Sequence, residues 1–174
     1  MTVQWNDTDD YGLVLYQNAS NVLKCRAFTI DTSDNSIDLQ GSETEVYGST
    51  VSDFSQLIYN ADSAAKNFIA QYVRVHSSST RGHFKQITVN KSDSYSITVG
   101  SEIRWADLAV DMDPDSTTPT GSPITRFKGA FVAQPNQNGI IMMATEGGSG
   151  GSAGRLYAVW IAYTDGGTYE RYTA

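Results

Sequence analysis

The chain has a single cysteine, Cys25, so it cannot form an internal disulfide or a cysteine-based zinc site. Its place in the alternating run Leu23-Lys24-Cys25-Arg26-Ala27 reads as a small buried hydrophobe. Basic residues are few as well: 12 Lys and Arg against 19 Asp and Glu leave a formal charge of −7 over 174 residues. Phosphate binding needs a basic surface, which argues against nucleic acid and against an anionic membrane as partner. No apolar run approaches the ~20 residues of a membrane span, so no membrane insertion is expected. The start Met1-Thr2-Val3-Gln4-Trp5, followed by the acidic Asn6-Asp7-Thr8-Asp9-Asp10, is the opposite of a signal peptide. Synthesis in a cytoplasm is expected, and the Asn-x-Ser/Thr triplets at Asn6, Asn18 and Asn90 read as chance.

What the chain does have is an internal repeat. Leu13-Val14-Leu15-Tyr16, Cys25-Arg26-Ala27-Phe28-Thr29-Ile30, Ser36-Ile37-Asp38-Leu39 and Gly41-Ser42-Glu43 form one series. Ile69-Ala70-Gln71-Tyr72, Phe84-Lys85-Gln86-Ile87-Thr88-Val89, Ser96-Ile97-Thr98-Val99 and Gly100-Ser101-Glu102 form another. Tyr47 and Trp105 follow the two glutamates. A third, weaker copy runs through Phe127–Val132, Gly139–Met143, Arg155–Ile161 and Thr168–Tyr172. Segments this short, rich in Val, Ile, Thr, Tyr and Phe and bounded by Asn, Asp, Ser and Gly clusters, are strands. Alternation is partial around Phe28 and around Trp160, as in strands buried on both faces of stacked sheets. Asn60–Lys66 is the only helix-like stretch and falls in a hairpin loop. Ala106–Thr125 holds three of the four prolines and reads as a surface loop.

These observations predict an all-β fold. It is one domain, residues 1–174, of about three propeller-like four-stranded units (about 1–50, 51–106 and 107–174), with a β-sandwich as the alternative. Propellers close with four to eight blades. Three units cannot close a ring alone, so another chain is expected to cover their edges. The terminal segments Thr2–Trp5 and Thr168–Tyr172 carry little of the lysine or proline that blunts strand edges.

The strand-ending Tyr16 and Tyr72, and the Gly-Ser-Glu with its trailing aromatic, resemble the blade-like repeats of bacteriophage tail-fibre and particle-surface proteins. The resemblance covers residues 11–105 and, more weakly, 127–172. It implies a non-enzymatic virion protein without cofactor. The expected partners are other virion proteins or copies of itself, with a host-surface glycan as a further candidate; the resemblance itself names no ligand.

Catalytic patterns fail on inspection. Gly147-Gly148-Ser149-Gly150-Gly151 fits G-x-S-x-G, but it lies in a Gly/Ser run and both histidines precede it. Asp111, Asp113 and Asp115 alternate as in calcium loops, yet Ser116 and Ser122 stand where an EF-hand needs Gly and Glu. They remain weak metal candidates, and Asp7, Asp9 and Asp10 weaker ones. His76 and His83 flank Ser77–Gly82 and would approach each other across a hairpin loop, without a third ligand. Trp5 and Trp105, in similar settings, either pack between units or offer a flat face to a sugar ring. The second choice makes a carbohydrate-binding module the alternative function. Trp160 reads as core.

Overall fold

The computed structural model describes residues 1–51, 53–60, 67–76, 79–106, 132–133, 139–145, 156–163 and 169–171. The described strands all pair antiparallel, in three sheets. The first holds β1 (Thr2–Asn6), β2 (Tyr11–Gln17), β3 (Leu23–Asp31) and β4 (Ser36–Tyr47), in that order. The second orders β5 (Asp53–Asn60), β6 (Asn67–His76), β7 (Ser79–Asn90) and β8 (Ser96–Val99), with β9 (Ile103–Ala106) also on β7. The third orders β10 (Val132–Ala133), β11 (Gly139–Thr145), β12 (Leu156–Tyr163) and β13 (Tyr169–Arg171). A single 3-10 turn, Lys91–Asp93, is the one helical element among the described residues. The all-β expectation is met. Among the described residues the sheets are unclosed, and β1 and β13 edge different sheets rather than pairing with each other.

The first two sheets share one register. Gly12 faces Phe28 and Tyr16 faces Lys24 in the first; Phe68 faces Ile87 and Tyr72 faces His83 in the second. Ile30 faces Ile37 and Phe28 faces Leu39, as Val89 faces Ile97 and Ile87 faces Val99. Trp5 lies opposite Gly12 as Tyr59 lies opposite Phe68. The long β4 corresponds to β8 and β9 taken together: Cys25 faces Thr44 as Phe84 faces Ile103. Both fourth strands skip one residue near their end, Val46 in one and Trp105 in the other. Tyr47 and Trp105 are therefore not equivalent, contrary to the sequence pattern; Ala106 takes the place of Tyr47.

Residues facing one another across a ladder share a side of the sheet. One face of the first sheet, its inner face, buries Leu13, Leu15, Leu23, Cys25 and Ala27. It packs on the near face of the second, where Leu57, Phe68, Ala70, Tyr72 and Ile87 are fully buried. Each such large side chain contributes roughly 1.5–3 kcal/mol through burial. First strand lies over first strand (β1 on β5) and last over last (β4 on β8). Lys85 Nζ donates to the Val46 carbonyl at 2.8 Å and Lys91 Nζ to the Asp9 carbonyl at 2.6 Å, across the same boundary. Gly41 sits there with φ +58°, and a Cβ on it would lie 2.8 Å from the Tyr95 carbonyl oxygen. Only glycine meets both demands.

The far face of the second sheet is buried too, with Ile69, Gln71 and Phe84 at 0% exposure. β6 and β7 are thus covered on both sides. β3 is not, despite its broken alternation: Lys24 and Arg26 are half-buried and Ile30 is exposed. Phe28 is buried on the outer face for a local reason. Its ring lies over Gly12, where a Cβ would come within 2.2 Å of Phe28 Cζ, and against the Trp5 ring at 5.7 Å. The helix-like stretch (all but Asn60, which ends β5), most of the proline-rich stretch and the Gly/Ser run lie outside the described residues.

Candidate functional site

The residues that mark the repeat in sequence meet one another in space. Tyr72, near the middle of β6, donates its hydroxyl to Glu102 Oε2 at 2.5 Å. Arg74, two residues on and on the same side of the strand, grips that carboxylate. Its Nε donates to both oxygens at 3.2 and 3.1 Å, and its Nη2 to Oε1. His83 faces Tyr72 across the ladder, stacks on its ring at 6.0 Å and places Nδ1 3.2 Å from Glu102 Oε1. From the first sheet Tyr47 closes the cluster, stacked on Tyr72 at 5.3 Å with the Arg74 guanidinium 5.2 Å from its ring centre. The first sheet repeats the arrangement: Tyr16 and Lys24 both donate to Glu43. There the cluster lies on the outer face, with nothing from the second sheet over it.

The electrostatics follow from these contacts. Burial alone would raise the Glu102 carboxyl, but hydrogen bonds from Arg74 and Tyr72 and the charge of His83 outweigh it and hold it at about 2. Burial, then the bond to Glu102, push the Tyr72 hydroxyl far above its ordinary value. Burial and the bond to Glu43 push Tyr16 up to about 12, while Lys24 and then Tyr16 pull Glu43 down. A general acid or base works best when its pKa lies near the working pH. These four groups are all driven away from neutrality. What the clusters do well is tie neighbouring strands together: a bidentate Arg–carboxylate fork sets orientation as well as attraction.

No protein-family model, curated protein or solved structure matches the chain.

Of the sequence candidates, Trp5 lies in β1 opposite Gly12, half-buried, with its ring against Phe28 on the outer face of the first sheet. It packs within its own sheet, not between the two. Trp105 has its backbone in β9, and its side chain lies outside the described residues, as do Asp111, Asp113 and Asp115. Asp7–Asp10 form the turn from β1 to β2: Asn6 Oδ1 accepts from Thr8 N at 3.0 Å and Asp9 N at 3.3 Å, and Asn6 Nδ2 donates to Asp9. Among the described residues no three His, Cys, Asp or Glu side chains are placed to hold a metal. His76 and His83 do not approach each other. β6 and β7 continue their ladder through the supposed loop, so His76 faces Ser79 and His83 faces Tyr72. Cys25 is fully buried, and that burial pushes its thiol up to about 12.

Sequence reading missed Lys24, Arg74 and His83 as members of the clusters. It had the signal for the pairing itself: a Tyr and a Glu that recur together in two copies are candidates for touching each other.

Proposed function

We propose that this chain is a non-enzymatic assembly protein of a bacteriophage virion, of the tail-fibre or particle-surface kind. It works by stacking blade-like sheets against one another and against neighbouring virion proteins. One observation carries the reading. The ionisable groups that recur in the repeat sit at one register in both sheets, and in the second sheet the neighbouring sheet closes over them. Groups placed this way serve packing and alignment. The plain edge of β1 adds support: its ladder with β2 runs unbroken from Thr2 to Asn6, without a bulge, a proline or a lysine. The opposite edge, β4, is bulged twice and carries Asp38, Glu43 and Glu45, the usual means of blunting a strand.

A glycan-binding module is the second reading, favoured by the half-buried Trp5 on an open face. Mass spectrometry of purified particles separates the two. The virion reading expects the intact chain as a stoichiometric particle component. Its absence from particles, together with specific binding on a glycan array that Trp5→Ala abolishes, would replace that reading with the second.

A further inference from the structure

The outer face of the first sheet has an occupied counterpart inside the same chain. Register identity makes it equivalent to the near face of the second sheet, the face that the first sheet covers. Val3 stands where Leu57 stands, and Ile30 where Val89 stands. The covered residues are 0% and 8% exposed; their equivalents are 46% and 44%. Ile37 and Leu39, equivalents of the half-buried Ile97 and Val99, are 65% and 55% exposed. Four apolar side chains thus lie open on one sheet face, around the half-buried Trp5 and the buried Phe28. Such a patch marks an interaction surface. Beside it stands the Tyr16–Glu43–Lys24 cluster, whose counterpart around Tyr72 receives the Tyr47 ring from the sheet above.

The sheets also meet in chain order. The first covers the near face of the second, first strand on first strand, and β10 comes against β5, again first on first. Contacts of this head-to-tail kind leave one unmatched face at each end of a chain. They close into rings when the rotation allows.

We infer that the outer face of the first sheet is the seat for the last sheet, β10–β13, of a second copy of this chain, and that two copies stacked head to tail close one ring of six sheets. Six lies within the four to eight blades at which propellers close. This inference rests on the blade-stacking reading above but not on where the protein resides, so particle mass spectrometry and the following test fail separately.

Sedimentation equilibrium and native mass spectrometry of the full chain are the test, with Ile37→Lys and Leu39→Lys as variants. Both side chains are exposed, so neither change disturbs the chain's own core; unchanged strand content and thermal melting of dilute samples verify it. The expected result is a species of twice the 18.9 kDa chain mass. Each variant should raise its dissociation constant by about a hundredfold or more, because a ring buries the unpaired ammonium twice. A wild-type chain that stays monomeric at high concentration, a dimer indifferent to both substitutions, or open-ended polymers in place of a dimer would each overturn the inference.

Discussion

Replacing Glu102 with Gln tests the cluster that ties β6 to β9 and the second sheet to the first. In the folded chain the carboxyl is held at about 2 against an ordinary value of 4.5. At about 1.4 kcal/mol per pKa unit this difference is at most roughly 3–4 kcal/mol of stability. The side chain keeps 22% of its exposure, and solvent screening reduces the figure to about 1–2 kcal/mol. The folded pKa lies below the unfolded one, so this stability is fully present above pH 4.5 and is lost as pH falls towards 2. Urea unfolding at neutral pH should therefore find Glu102→Gln less stable by about 1–2 kcal/mol. Repeated at falling pH, the gap should narrow below the ordinary carboxylate range and close as pH falls through about 2, where the wild-type carboxyl itself becomes protonated. Tyr72→Phe should cost about 1 kcal/mol for its lost hydrogen bond, and leave most of the acid dependence in place through Arg74. A Glu102→Gln protein whose stability tracks wild type at a constant offset over that whole range would refute the assignment of the acid-labile component to this carboxylate.

Two further outcomes follow from the packing of the first sheet. Gly12→Ala should destabilise the fold by about 1–3 kcal/mol, because the new methyl meets the Phe28 ring; adding Phe28→Leu should recover part of the loss, and strictly additive costs in denaturant midpoints would contradict this account of the contact. Cys25, buried and held as a thiol, should resist a chromogenic disulfide reagent in the native protein and react at once in denaturant; rapid native labelling would show the first sheet opening where it is described as packed.

Much of the fold was legible because strand identity is a local property. Short β-branched and aromatic runs between Asn, Asp, Ser and Gly clusters turn out to be β2, β3, β4 and β6 to β8. What escaped the sequence depends on neighbours. The polar run from Ser77 to Gly82 looks like a loop by composition, but Ser79–Gly82 belongs to β7, because backbone hydrogen bonding does not require apolar side chains. Tyr47 and Trp105 look equivalent as the first aromatic after each glutamate, but Tyr47 stands one residue further on, and the bulged position that both strands share falls on Val46 in one and on Trp105 in the other. Phe28 breaks the alternation of β3 not because a second sheet covers it, but because Gly12 beside it leaves room for the ring. In the second sheet the same pair of positions holds Phe68 and Ile87, so a large ring and its accommodating neighbour exchange strands. The Tyr–Glu pairing was visible as a repeated motif, whereas Arg74 and His83 joined it through strand geometry that only the ladder register reveals.

The proposed mode of action is the stacking of copies of one sheet, with the outer face of the first sheet left for a neighbour. A cryo-electron microscopy map of the assembled protein tests it most directly. The account predicts a closed ring of six sheets, in which Ile37 and Leu39 of one copy lie under the β10–β13 sheet of the other. A map in which that face is open to solvent while the copies meet elsewhere would contradict it.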